Sequence, residues 1–218
     1  PGGKVVLCNA DVLSKKVSKQ DRNDFPLIGD GASITIIEND PKAADIYYSM
    51  YTDGTRRDAL RIPAGGFRMP CSAETAELKD IGDGNLRALD HMHMDGSAVF
   101  SFVQEEVPPC IDEMMEFAGE TKESIDWYLF HQPNKFMVQK LRERLGVPKE
   151  KLPDDLVTKY GNPSGVSIPL VITSEIGSDF EENTYKCCLS AFGSGLAWGA
   201  MVMELGNLDF CEMIESDL

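Results

Sequence analysis

Short apolar runs alternate with long polar stretches in the first half of the chain. The runs Val5–Cys8 and Ile34–Ile37 predict two strands, and the β-branched character of the second predicts that it is buried. Residues 50–90 are rich in Gly, Pro, Asp and Arg, with turns predicted at 52–54 and 63–66. This stretch therefore predicts a long excursion with little core of its own, and loops of that length usually shape a site.

The pattern changes to helical spacing after Gly96. A helix is predicted up to Gly119, with Pro108 and Pro109 bending its path. The remaining predicted elements are a strand at 125–130, a helix from Pro133 in its first turn to Leu145, a loop at 160–165 that opens another helix, strands at 185–190 and 196–205, and an acidic tail at 206–218.

Two Gly-x-Gly turns, 29–31 and 193–195, each lie between apolar strands. A pattern that occurs twice in this way suggests a duplicated fold. A helix, a strand and two polar turns precede the second copy, whereas almost nothing precedes the first. If the fold is duplicated, most of the first copy is expected upstream of Pro1.

Composition narrows the class of protein. The 218 residues carry a formal net charge of -15, which argues against nucleic acid and anionic membranes as partners. No apolar run is long enough to span a membrane, and no secretory signal is visible. The six cysteines contain no CxxC pair and are interpreted as buried, reduced thiols of a cytoplasmic protein, with disulfides as the alternative.

Few residues can carry chemistry. His91 and His93 form an HxH on a predicted strand, which suits either a metal site or a structural role. His131 follows an apolar strand, where open α/β sheets bind ligands, and a structural histidine is the alternative. Asn162 lies in a Gly-Asn-Pro-Ser loop, and taken alone it is interpreted as a turn residue. The 193–195 turn either aims backbone N–H groups at an anion or is simply tight.

Several motifs together resemble one family. Residues 128–134 (YLFHQPN), 160–169 (YGNPSGVSIP) and 191–199 (AFGSGLAWG) resemble the histidine, asparagine and Gly-rich motifs of β-ketoacyl-ACP synthase III. The pairs Asp21-Arg22 and Asp126-Trp127 match in order, as do residues 29–32 and 95–100. The resemblance runs from about Lys4 to Leu205.

The resemblance implies a fold and a reaction. The fold is the thiolase-like αβαβα arrangement of two similar halves. The active site is a Cys-His-Asn set: the cysteine takes an acyl group from acyl-CoA, and malonyl-ACP then loses carbon dioxide and attacks the acyl-cysteine. Both are substrates, so neither a cofactor nor a metal is expected. An Asn at the third place favours this type over the elongating synthases, which use two histidines.

The family roles fall on particular residues. The resemblance implies that His131 and Asn162 are the catalytic His and Asn, and that the Ser194 N–H is half of the oxyanion hole. Arg22 is implied to pack on the CoA adenine and Asn134 to contact the pantetheine arm. Phe100 is implied to line the acyl or pantetheine channel, with plain core as the alternative.

The resemblance also divides the chain. Residues 1–49 are expected to be the last strands of the N-terminal half, 50–90 a connecting excursion, 91–205 the C-terminal half and 206–218 the tail. The nucleophilic cysteine is expected upstream of the strand near Lys4, and none of the six cysteines occupies its place. The family is dimeric, so a homodimer is expected of the complete protein. Surfaces that the missing half covers are expected to cause association.

The surface for the acyl carrier protein departs from the family. Family basic positions fall on Ser101, Phe136 and Glu143, and only Arg144 is kept. Nearby Lys135 and Lys140 belong to a local basic cluster that suits an acidic carrier or is a solvated helix face. Two other functions stay open: a specialised acyltransferase of the same family, and a non-catalytic subunit that pairs with a cysteine-bearing partner.

Overall fold

The structure, a computed structural model, describes residues 3–215. Its strands are β1 (Lys4–Asp11), β2 (Gly31–Glu38), β3 (Tyr47–Thr52), β4 (Leu60–Arg61), β5 (Lys79–Asp80), β6 (Leu86–Arg87), β7 (His93–Met94), β8 (Trp127–Phe130), β9 (Thr184–Gly193) and β10 (Ala197–Gly206). Its helices are α1 (Gly96–Ala118), α2 (Lys135–Leu145), α3 (Leu156–Tyr160), α4 (Ser167–Val171) and α5 (Asp179–Glu182). The last three residues of the predicted tail lie outside the described range.

Two antiparallel hairpins follow the two predicted strand pairs. β1 pairs with β2 along its whole length, and β9 pairs with β10 in the same way. The second hairpin belongs to a four-stranded sheet with the order β3-β10-β9-β8, in which β8 runs parallel to β9. The predicted strands are therefore confirmed, although β8 begins two residues later than expected.

β3 was missed in the sequence analysis. It pairs antiparallel with β10, so the predicted boundary between residues 49 and 50 falls inside a strand of the main sheet. Tyr51 stacks on Trp198 at 5.6 Å, and its hydroxyl donates to Glu113 of α1. The three tyrosines and one threonine of β3 favour a strand locally, but the strand's pairing with β10 depends on contacts that are far apart in sequence.

The main sheet separates two apolar layers because its strands alternate. Tyr128 and Phe130 face α1 and α2, whereas Leu129 faces α4 and α5. Pro108 and Pro109 lie inside α1, which continues to Ala118 and ends at Gly119 in the left-handed conformation. Proline removes a helical N–H, but tertiary packing holds this helix together through both prolines. Pro133 precedes α2 instead of lying in its first turn.

The excursion at 50–90 forms more strand pairs and ion pairs than predicted. Its strands form two short pairs, β4 with β7 and β5 with β6. Arg87 is buried and bonds the carboxylates of Asp21 and Asp24 at 2.7 and 2.8 Å. Removing one partner of such a buried pair leaves an uncompensated charge, so this contact ties the excursion to the segment that precedes β2.

The first hairpin corrects the prediction of a buried strand. Ile34, Ile36 and Ile37 are exposed, because the hairpin pairs only with itself within residues 3–215 and both of its faces are open. For the same reason Cys8 on β1 is exposed. Cys71 is exposed on the excursion, so the expectation of six buried thiols holds only for Cys110, Cys187 and Cys188, with Cys211 intermediate.

The open hairpin predicts self-association, since contiguous exposed apolar residues and free strand edges favour pairing between chains. Ile34→Lys, at a position that is 67% exposed, should lower the average mass in sedimentation equilibrium. Ile214→Lys, at a position that is 85% exposed in the tail, is the matched control and should leave the mass unchanged. Equal masses for both variants and the wild type would refute this role of the hairpin.

Candidate active site

One large cleft lies between the main sheet, the start of α2 and the segment that precedes β2. Its volume is about 1190 Å³. Four of the predicted site residues line it: His131, Asn134, Asn162 and Ser194. They come from three separate polar turns, so the fold brings together residues that are up to 63 positions apart.

His131 follows the last residue of β8. Its backbone N–H donates to Ser190 of β9 at 2.8 Å, which continues the sheet pairing by one residue. Its ring meets the ring of Phe192 edge to face, with centroids 5.3 Å apart. Burial lowers the pKa of His131 to about 4, so the imidazole is neutral near pH 7.

Asn162 is held by backbone contacts with the segment before β2. Its N–H donates to Leu27 at 2.7 Å, and its carbonyl accepts from Gly29 at 3.0 Å. A Cβ on Gly29 would lie 1.8 Å from the carbonyl oxygen of Tyr160, so only glycine allows this approach. On the other side, a Cβ on Gly161, which has φ of 71°, would lie 2.8 Å from backbone atoms of Ile28 and Gly29.

Ser164 orients the Asn162 side chain. Its N–H donates to the Asn162 side-chain oxygen at 2.9 Å, which leaves the amide NH₂ as the donor facing the cleft. The Ser164 backbone also offsets part of the lowering of the His131 pKa by burial. Ser164 has φ of 51°, a left-handed conformation that is uncommon outside glycine.

The Gly-rich turn and the start of α2 complete the wall. The Ser194 hydroxyl donates to the carbonyl of Leu60 in β4 at 2.9 Å. Leu196 and Asp53 exchange two backbone hydrogen bonds at 2.7 and 2.9 Å, which hold the turn on the end of β3. Asn134 caps α2 by accepting the Met137 N–H at 2.8 Å.

Known proteins resemble this chain in sequence. Residues 115–205 match the family model for the C-terminal domain of 3-oxoacyl-[acyl-carrier-protein (ACP)] synthase III. A putative 3-oxoacyl-ACP synthase 3 of Campylobacter jejuni is 32% identical over 206 residues, 94% of this chain and 57% of the relative. The β-ketoacyl-ACP synthase III of Streptococcus uberis is 31% identical over 204 residues, 93% of this chain and 59% of the relative.

A solved structure extends the likeness to the fold. The 3-oxoacyl-ACP synthase of Burkholderia xenovorans superposes with a TM-score of 0.85 at 32% identity, over 98% of this chain and 59% of that one. Along more than nine tenths of its length, the chain is therefore similar to 3-oxoacyl-ACP synthase III proteins. Its fold is the thiolase-like fold expected from the motifs. The chain spans less than three fifths of the length of these relatives.

Two residues to which the synthase III resemblance gave binding roles lie away from the cleft lining. The Arg22 guanidinium donates to the carbonyl of Asp83, on an exposed surface of the excursion. Phe100 is half-buried and stacks on Phe136 with centroids 5.8 Å apart. Both lie beside residues that line the cleft, Asn23 and Val99 respectively.

The candidate carrier surface is largely paired. Lys135 bonds Asp155 at 2.5 Å and Lys140 bonds Glu143 at 2.6 Å. Arg144 is exposed and makes no ion pair within the described part of the chain. Because exposed pairs of this kind exchange partners at little cost in free energy, their positive charges remain accessible to another acidic surface.

Both histidines of the HxH motif contact the backbone of Ala88. His91 lies in a turn instead of the predicted strand, and its ring nitrogen accepts the Ala88 N–H at 3.1 Å. A ring nitrogen of His93 lies 2.9 Å from the carbonyl of Ala88. No cluster of three or more metal-binding side chains occurs among residues 3–215. Over the same residues, no helix is both long and apolar enough to cross a membrane.

Three residues near the site escaped the sequence analysis. Ser164 carried a signal, because it follows Asn162 inside the asparagine motif, but its left-handed backbone is visible only in the fold. Gln132 is fully buried beside His131. Asp24 lines the cleft, and burial raises its pKa to about 6 despite the nearby Arg87.

Gly29→Ala should destabilise the chain, because the added Cβ would overlap the Tyr160 carbonyl. We expect a loss on the order of 2–3 kcal/mol in the free energy of unfolding, measured by urea denaturation. Gly165→Ala is the matched control in the loop that faces Gly29, where no atom lies within 4 Å of the added Cβ. Equal losses in the two variants would show that the close approach at Gly29 is not a constraint.

The lowered pKa of His131 predicts a pH effect on stability. The ring protonates near pH 6.5 in the unfolded chain and near pH 4 in the folded one, so unfolding takes up a proton between these values. The wild type should therefore lose more stability than His131→Gln as the pH falls through this window. Asp24 is present in both proteins, so its opposite contribution cancels. Parallel stability curves would contradict a neutral His131 in the folded chain.

Proposed function

We propose that this chain carries the decarboxylating part of a 3-oxoacyl-ACP synthase III. The parent protein would condense an acyl-CoA starter with malonyl-ACP in the initiation of fatty-acid synthesis. The proposal rests on one observation above all: a neutral imidazole and a carboxamide NH₂ face the same cleft.

These two groups suit decarboxylation. When a malonyl thioester loses carbon dioxide, the electron pair of the broken C–C bond moves into an enolate with negative charge on the thioester oxygen. Two neutral donors stabilise that oxygen without giving up a proton to the carbanion. In the proposed reaction His131 and Asn162 donate to it, and the Ser194 N–H serves the tetrahedral intermediates of acyl transfer.

The complete reaction needs a thiolate nucleophile. The thiolate attacks the acyl-CoA carbonyl and expels the CoA thiolate; the enolate then attacks the acyl-thioester carbonyl, forms the new C–C bond and expels the enzyme thiolate. None of the six cysteines lines the cleft, and burial raises the pKa of Cys110 to about 11 and of Cys187 to about 12. We therefore assign the nucleophile to a residue outside this sequence.

Further residues have proposed roles in substrate binding. Asn134 at the cleft wall would contact the pantetheine arm, Arg22 the adenine of CoA, and Phe100 the channel beside the start of α1. Lys135, Lys140 and Arg144 on α2 would meet an acidic carrier protein. Acyl-CoA and malonyl-ACP are substrates, so the proposed chemistry calls for no cofactor. A homodimer and a cytoplasmic location stay predictions.

A second function is favoured by the cysteine positions. A cleft with the His and Asn donors but no lining thiol also suits a subunit whose partner chain supplies the nucleophile. Mixing this chain with a cysteine-bearing chain would distinguish the two cases, because only a partner subunit gains condensation activity on mixing.

The first proposal predicts decarboxylation by this chain alone. Incubation with malonyl-CoA or malonyl-ACP should release carbon dioxide and leave the acetyl thioester, detected by mass spectrometry. His131→Ala and Asn162→Ala should each lower the rate by about 10²–10³-fold, the usual effect of removing one such donor.

Asn183→Ala is the matched control. Asn183 is exposed and directly follows α5. Its side chain donates to Asp179 at 2.8 Å, and removing that side chain should leave the rate of decarboxylation unchanged. A rate in the wild type no greater than in the His131→Ala variant would overturn the proposed decarboxylation.

A further inference from the structure

The turn that carries His131 has backbone N–H groups that need hydrogen-bond acceptors. It leaves the end of β8, passes through the cleft wall and enters α2 within four residues. Three of the four residues have a backbone N–H group, and buried N–H groups need acceptors. The Ser190 carbonyl accepts from His131. Within the described chain no further strand lies beyond β8 to accept from Gln132.

A side chain supplies that acceptor. The N–H of Gln132 donates to the hydroxyl oxygen of Ser167 at 2.9 Å. Gln132 is 0% exposed and Ser167 is 1% exposed, so water does not compete for this bond. The Gln132 side chain is fixed as well, because its amide NH₂ donates to the Pro153 carbonyl at 2.8 Å.

Ser167 is well placed to hold its end of the bond. It is the first residue of α4 and lies five positions after Asn162. α4 packs on β8, and its last residue, Val171, is buried in the same apolar cluster as Leu129 and Phe180. The hydroxyl therefore belongs to a packed helix instead of a mobile loop.

We propose that Ser167 is a positioning residue for His131: its hydroxyl accepts the Gln132 N–H and so fixes the His131 turn against the helix that follows the Asn162 loop. This inference rests on the proposed decarboxylation. Ser164 orients the Asn162 amide locally, whereas Ser167 fixes the distance between the two backbones that carry His131 and Asn162. A displacement of about 1 Å at a reacting group typically lowers a rate by about 10²-fold.

Ser167→Ala and Ser167→Cys test the acceptor and the volume separately. Cysteine fills the site but accepts hydrogen bonds weakly, so it should behave like alanine if the bond matters. Both variants should decarboxylate malonyl-CoA with kcat lowered by ~10-fold to ~100-fold and with KM within about twofold of the wild type. Ser174→Ala, on the same helical run, is the matched control and should keep the wild-type kcat.

A second measurement does not depend on activity. The chain has three histidines, so histidine NMR signals can be assigned with His131→Gln and titrated. Loosening of the turn should admit water and raise the His131 pKa from about 4 towards 6.5 in both Ser167 variants, but not in Ser174→Ala.

The outcomes separate this inference from the proposed function. Wild-type kcat and an unchanged His131 titration in Ser167→Cys would overturn the positioning role. If Ser167→Ala does not fold, Ser167→Cys alone decides. If the wild type releases no carbon dioxide, the proposed function fails, and the titration still tests whether Ser167 fixes the His131 turn.

Discussion

The contact between two backbones, residues 27–29 and 160–162, is the constraint on which the candidate site depends. Two hydrogen bonds join the segments, and the absence of side chains on Gly29 and Gly161 allows the distance. Because Asn162 is the paired residue, its position follows from this backbone contact. The position of the Asn162 amide therefore depends on the junction between the first hairpin and the part of the chain that contains the main sheet.

The two donors of the proposed reaction are fixed in different ways. The backbone of Asn162 is paired with residues 27–29, and its side-chain oxygen accepts the Ser164 N–H, which orients the amide. The His131 ring stays neutral because burial disfavours the imidazolium. A carboxylate beside the ring would raise its pKa and supply a proton at the step where a carbanion forms.

The sequence was informative where the signal was local. The motifs at 128–134, 160–169 and 191–199 indicated the resemblance to synthase III and located the three turns that meet at the cleft. Helical spacing predicted the long helix, and apolar runs predicted the four strands that form the two hairpins. Burial was predicted wrongly for Ile34–Ile37, because β-branched composition reports strand formation but not what covers the strand. The pairing of β3, the Arg87 ion pairs and the left-handed Ser164 depend on partners distant in sequence or on a backbone angle, and neither leaves a local pattern.

Both hairpins are antiparallel strand pairs, but their surroundings differ. β9 and β10 are flanked by β8 and β3, and both faces of their sheet are packed. β1 and β2 have no neighbour at either edge among residues 3–215, and the cleft opens on the segment that leads into β2. The groups placed for chemistry occupy the wall formed by the main domain. Because the junction that positions Asn162 joins this exposed hairpin to the packed sheet, we expect anything that covers the apolar surface of the hairpin to stabilise the candidate site as well.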